Sequence, residues 1–294
     1  MIEIISDALR ATLNPAGAEL WSLHDAEGRS LMTDADPAYW TGHAPLLFPI
    51  VGGLVGDRYR LRDGRAFTLP RHGFARRSTF DLVESWADHA LFRLTDSAET
   101  LAVWPFAFQL DMAFRLDGAT LFTTATVTNT GTDAMPFSLG YHPAFAWPLP
   151  YGATKEDHRI VFEKKETAPI RRLDGAGQLL AEGEPSPVTG RTLIPTTTMF
   201  EADAIIWDRL ESRSLTWGAL GSKPDTPSLR IDFPGMPMLG LWQKPGAAYL
   251  CIEPWAGIAD PLGYDGVLED KPGIVTLAAG EARAFRMDVT LVQG

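Results

Sequence analysis

Phe285-Arg286-Met287-Asp288-Val289-Thr290-Leu291 alternates without a break. Phe285, Met287, Val289 and Leu291 fall on one face and Arg286, Asp288 and Thr290 on the other, the period of a half-buried strand. Just upstream, Ala278-Ala279-Gly280-Glu281 reads as the turn into it. Leu121 to Asn129 is rich in Thr, which with Val suits a pleated surface, and Asn129-Thr130-Gly131-Thr132-Asp133 reads as the turn after it. Met238 to Trp242, the turn Lys244-Pro245-Gly246 and Ala248 to Ile252 predict a hairpin. Ile2 to Ile5, Leu9 to Leu13 and Glu19 to Leu23 predict three more short strands. The 27 glycines and 22 prolines are spread through all 294 residues and would interrupt long helices while sparing short strands. Residues 151–200 carry charge, Gly, Pro and Thr without a period, and read as long connections with short strands. The expectation is an all-β protein, a large antiparallel β-sandwich of two packed sheets, in one domain over residues 1–294.

Composition narrows the function. Acidic residues outnumber basic ones 37 to 26, for a net charge of -11. Nucleic-acid binding needs a cationic footprint, so no nucleic-acid partner is expected, and an anionic membrane surface is disfavoured too. The single cysteine, Cys251, forms no intrachain disulfide and points to a reducing compartment. The N-terminus lacks a basic region followed by an apolar run, and no stretch approaches the length of a spanning helix. A cytoplasmic protein is the expectation.

Three segments draw attention among the residues able to do chemistry. Arg71-His72-Gly73-Phe74-Ala75-Arg76 sets a histidine between arginines, and Leu139-Gly140-Tyr141-His142-Pro143-Ala144-Phe145 sets another between a ring and a proline. Pro143 biases His142 towards an extended backbone. In Tyr249-Leu250-Cys251-Ile252-Glu253-Pro254-Trp255, Glu253 ends an apolar run, where a carboxylate must reach solvent or be hydrogen-bonded. Tyr141, Phe145, Trp147, Trp242 and Trp255 lie nearby in sequence, and aromatic rings can pack on the C–H faces of sugars. Taken singly, each has a plainer reading: a satisfied polar residue at a strand end, or an aromatic of the core.

Taken together, Leu47-Phe48-Pro49-Ile50-Val51-Gly52, His72-Gly73-Phe74-Ala75-Arg76, Gly140-Tyr141-His142-Pro143-Ala144-Phe145 and Ile252-Glu253-Pro254-Trp255 resemble, in order and spacing, the aldose 1-epimerase (galactose mutarotase-like) family. The style is that of its LacX-type branch, and the likeness covers nearly the whole chain. It implies the large supersandwich of that family, a sugar in an open cleft, and interconversion of the α and β anomers of an aldose. Carried over residue by residue, the catalytic base falls on Glu253, the acid on His142, and the second histidine at the sugar on His72. Asp203 matches the aspartate that contacts sugar hydroxyls, with Asp208 the other candidate. Trp255 belongs with the substrate-binding aromatics. Family members often carry an arginine where this chain has Gly53, and Arg58 or Arg76 would then supply the cation.

Those residue types suit the reaction. Anomer exchange opens the ring at the hemiacetal: a base takes the proton of the C1 hydroxyl while an acid protonates the ring oxygen, and closure reverses both roles. A carboxylate and an imidazolium serve near neutral pH. No cofactor is needed, and the sequence has no Gly-rich phosphate loop, no His-Glu-x-x-His run and no cysteine cluster. Three rivals stay open: a metal enzyme holding its ion on His72, His142 and Glu253; a non-catalytic sugar-binding module; and an epimerase of hexose 6-phosphates, with Arg71, Arg76 and Arg77 at the phosphate.

Overall fold

The computed structural model describes residues 1–221, 223 and 225–294. The alternating C-terminal segment lies inside its longest strand, Ala282–Val292. That strand sits between Thr120–Asn129 and Ser228–Asp232 in a nine-stranded antiparallel sheet. The sheet runs in the order Thr192–Leu193, Arg159–Phe162, Ser214–Gly218, Ser228–Asp232, Ala282–Val292, Thr120–Asn129, Phe108–Asp117, His89–Thr95, Asp81–Ser85. A second sheet of six strands runs Ile205–Trp207, Met238–Trp242, Tyr249–Ala256, Leu139–Tyr141, Leu46–Leu47, with Ala144–Ala146 also pairing to Tyr249–Ala256. Among the described residues, three smaller sheets complete the fold, one of them formed by Ile2–Ile5, Leu9–Asn14 and Glu19–Asp25 at the N-terminus. The many short antiparallel strands expected from the sequence are therefore present, and residues 151–200 contribute only two of them.

The two large sheets bury their facing residues against each other. Leu121, Ala125, Val127, Phe285, Met287, Val289 and Leu291 from the nine-stranded sheet share one apolar core with Leu139, Tyr141, Leu239, Leu241, Leu250 and Ile252 from the six-stranded one. Tyr141 ties the sheets together. Its hydroxyl donates to the Phe285 carbonyl at 2.8 Å and accepts the Ala125 N–H at 2.9 Å. A buried phenol needs such partners, and here they lie on two neighbouring strands of the opposite sheet.

The Tyr249–Ala256 strand is buried along its whole length, so both of its faces are covered. Leu250, Ile252 and Ala256 enter the main core. By alternation, Tyr249, Cys251, Glu253 and Trp255 turn to the other face. The hairpin read as ending at Ile252 continues through Pro254. A proline is tolerated in this central strand because the neighbouring ladder is open there: Gly140 pairs with Trp255 and Ala144 with Cys251, while His142-Pro143 interrupts the run between them.

Two glycines make room on this face. A Cβ at Gly140 or at Gly240, one on each neighbouring strand, would lie 2.5 Å from the Trp255 indole. Gly240→Ala should therefore overpack the site and lower stability by about 1–3 kcal/mol. Denaturant unfolding reads this as a lower midpoint at unchanged slope. An unchanged midpoint would mean that the indole is not held by this gap.

Candidate active site

The register of the second sheet builds the site. With Gly140 opposite Trp255 and Ala144 opposite Cys251, His142 stands opposite Glu253 in the gap between the two paired stretches. On the other side Gly240 pairs with Glu253 and adds no side chain. His142 Nε2 lies 3.3 Å from Glu253 Oε2, and both side chains are almost fully buried. They line a cleft of about 230 Å³ with Trp40, Arg71, His72, Arg76, Leu173, Asp203, Ile206, Trp242 and Trp255. That volume is near the lower end of the small-molecule range, which starts at about 300 Å³, and suits one sugar-sized ring better than a chain of them. A larger cavity of about 320 Å³, lined by Arg58, Tyr59, Asp260, Tyr264 and Lys271, holds neither a histidine nor an indole.

His72 comes from a tight turn that requires glycine at position 73. Gly73 N–H closes the turn on the Pro70 carbonyl, and a Cβ at Gly73 would collide with the Phe48 carbonyl. His72 itself has φ 68 and Asp203 φ 66, in the left-handed region that non-glycine residues avoid at about 1–2 kcal/mol. Both residues line the same cleft. The Gly52 N–H donates to His72 Nδ1 at 3.1 Å, so the neutral ring carries its proton on Nε2. The His72 and His142 rings meet edge to face with centroids 6.0 Å apart. Trp40 leans on His142 at 5.0 Å and Trp242 meets it at 5.9 Å, nearly perpendicular.

Burial dominates the electrostatics. It lowers the basicity of His142 to about 3 and pushes His72 well below the usual imidazole range, with Arg71 and Arg76 acting in the same direction on both rings and His142 adding to the effect on His72. Burial raises Glu253 well above the carboxylate range; Arg71 opposes this and Asp203 adds to it. The Trp255 indole also opposes it, although its N–H makes no well-formed hydrogen bond. Burial in this cleft therefore favours a neutral carboxyl beside a neutral imidazole. Arg71 and Asp203 face each other loosely at 3.9 Å, each partly exposed. Arg76 Nη2 donates to the Arg71 carbonyl at 2.9 Å, which holds the second guanidinium beside the first.

Of the residues named from sequence, the structure brings His72, His142, Glu253, Asp203, Arg76 and Trp255 to this one cleft. Asp208 lies elsewhere, paired with Arg171 at 2.7 Å, and Arg58 lines the other cavity. Arg77 is not among the lining residues, whereas Arg71 is. Tyr141, Phe145 and Trp147 belong to the core. Trp40 had no signal in the sequence, because it comes from an aperiodic loop and reaches His142 only through the fold. Donor atoms of His142, Cys251 and Glu253 lie within 4.8 Å of one another, so Cys251 stands where the metal reading had placed His72. Burial, and next the neighbouring Glu253, hold that thiol protonated, which opposes metal capture.

A family profile described as aldose 1-epimerase matches residues 1–289. The chromosomal protein LacX of Lactococcus lactis subsp. lactis is 34% identical over 299 residues, covering 99% of both chains. Among solved structures, a galactose mutarotase related enzyme from Lactobacillus acidophilus superposes with a TM-score of 0.89 at 29% identity, covering 99% of this chain and 97% of that one. A galactose mutarotase-like protein from Lactobacillus casei does so with a TM-score of 0.89 at 28% identity, covering 99% and 100%.

The charges beside Glu253 give a test with opposite signs. Arg71 lowers its pKa and Asp203 raises it. Arg71→Met should move the alkaline limb of kcat/KM for anomer exchange to higher pH, and Asp203→Asn should move it lower. Movement of both limbs in one direction, or no movement in either variant, would contradict this electrostatic arrangement.

Proposed function

Because the chain belongs to the aldose 1-epimerase family, and is thus an isomerase of sugar anomers, we propose that Glu253 and His142 are the pair that moves the protons, on a free aldose. The observation that carries the reading is their 3.3 Å contact, buried at the wall of an indole-lined cleft. The two oxygens that exchange protons in ring opening are bonded to the same carbon, so the groups serving them must themselves be close. Glu253 takes the proton of the C1 hydroxyl and His142 gives one to the ring oxygen as its bond to C1 breaks. The open aldehyde turns about C1–C2 and closes with both transfers reversed. His72 donates its Nε2 proton to a sugar oxygen, Asp203 and Arg76 take hydroxyls, and Trp255 packs on the ring. The chain works as one domain over residues 1–294, and its lone thiol suits the cytoplasm.

Burial gives this relay a direction. Ring opening leaves Glu253 protonated and His142 neutral, the forms that desolvation favours. The cleft thus stabilises the enzyme state that accompanies the open-chain aldehyde. Throughout, the pair holds one proton, on either partner.

Arg71 and Arg76 keep the phosphorylated substrate in view, since both reach the cleft. Asp203, facing Arg71 at 3.9 Å, would repel a phosphate there, and this supports the uncharged aldose.

Polarimetry or saturation-transfer NMR on a panel of aldoses and aldose 6-phosphates should detect exchange above the spontaneous rate with free aldoses, unchanged by chelators. Exchange abolished by chelation and restored by one metal would favour the metal enzyme, and no exchange on any sugar would favour the binding module. Glu253→Gln and His142→Asn should each lose about 10²-fold or more in rate, about 3 kcal/mol of barrier, while still binding sugar. A Glu253→Gln variant with near-native exchange would refute the base.

The pH profile should be bell-shaped. The active one-proton pair is lost at low pH when His142 gains a second proton, near its depressed value of about 3, and at high pH when the raised Glu253 gives up the last. An acid limb at the ordinary carboxylate value would contradict the shared proton.

A further inference from the structure

In the wall of the larger cavity, Lys271 Nζ and Asp260 Oδ1 meet at 3.0 Å with almost no exposure of either side chain. The proton transfers above use neither. Lysine and aspartate are rarely buried so completely, and desolvating two ions costs several kcal/mol each, so a well-packed apolar pair would serve stability as well or better. The best-attested use of such a pair is to fix a register.

What it fixes can be read from the bonds of Asp260. Its N–H donates to the Gly53 carbonyl at 2.9 Å, its Oδ2 accepts the Val55 N–H at 2.9 Å, and its carbonyl accepts the Leu179 N–H at 2.8 Å. Asp260 therefore grips the 53–55 segment at two points. Gly52, the next residue, takes the His72 N–H on its carbonyl at 2.9 Å and sends its own N–H to His72 Nδ1. Nothing fits between Gly52 and the residue before Asp260: a Cβ at Gly52 would lie 2.5 Å from Ala259 Cβ. A shift of Asp260 is thus carried into the Gly52 N–H.

We propose that Asp260 and Lys271 are positioning residues for His72: they hold the Gly52 N–H on Nδ1, and so keep the proton of the imidazole on Nε2, aimed into the cleft. The consequence for the reaction rests on His72 acting at the sugar. The lysine is the clamp that keeps the carboxylate in place, and without it the 52–55 segment is free to turn its donor away.

Long-range 1H–15N correlation of the histidine rings, in labelled and sugar-free protein, reads the tautomer directly. In the native chain His72 should show the Nε2–H pattern, and an Nδ1–H pattern would overturn the proposal without any variant. In the double variant Asp260→Asn with Lys271→Met, which removes both charges at similar volume, the His72 signals should move towards a mixture. Anomer exchange should fall about 10–100-fold, mainly in kcat, as misplacement far from the chemistry does. Lys271→Met alone, which leaves the Asp260 carboxyl in place for the Val55 N–H, should give a smaller change of the same kind if the double variant does not fold. A folded variant with the native His72 pattern would overturn the proposal, whatever its rate. A mixed pattern with native exchange would uphold the positioning and remove His72 from the reaction.

Discussion

The two-residue alternation of one strand governs this molecule. Tyr249–Ala256 is covered on both faces, so each side chain along it is committed either to the core or to the cleft. Leu250 and Ile252 anchor it against the nine-stranded sheet, and that commitment turns Cys251, Glu253 and Trp255 the other way. A slip of one residue would bury Glu253 among leucines and put Ile252 in the cleft. The neighbouring segment is constrained in the same way. Tyr141 is bonded to two strands of the opposite sheet, and the residue after it, His142, faces Glu253. The His142–Glu253 pair is thus placed by rigid sheet, and its precision comes from the core.

Placing the pair there sets its electrostatics. A carboxylate and an imidazolium in a buried gap each meet a desolvation penalty, and the cheapest arrangement is one proton shared between two neutral groups. Arg71 and Asp203 at the cleft mouth push Glu253 in opposite directions, so its proton affinity is set by a balance that bound sugar can alter. The buried Lys271–Asp260 pair extends the same logic backwards, spending charge on the aim of a single backbone donor.

Much of this was legible in the chain. Alternation located Phe285–Leu291 inside the Ala282–Val292 strand, because one-sided burial writes its period into the sequence, while Thr content marked Leu121–Asn129 and the turn Lys244-Pro245-Gly246 marked Met238–Trp242. The convergence of His72, His142 and Glu253 was visible only through family resemblance, since it depends on strand pairing at long range. Pro254 misled the strand boundary, because proline ends most strands and the open ladder beside His142 that accommodates it is a tertiary feature. Trp40 and the bonds of Asp260 were illegible. Each comes from a loop whose local sequence looks like any other, and acquires meaning only from what the fold sets against it.

The central claim is that Glu253 holds a proton that ordinary carboxylates have lost. Infrared difference spectroscopy, native chain minus Glu253→Gln, reads it directly from the C=O stretch of a protonated carboxyl. In the sugar-free protein that band should persist at pH values well above the usual glutamate range, then vanish as the pair loses its last proton. Its disappearance together with the surface carboxylates, near their ordinary pKa, would contradict the account.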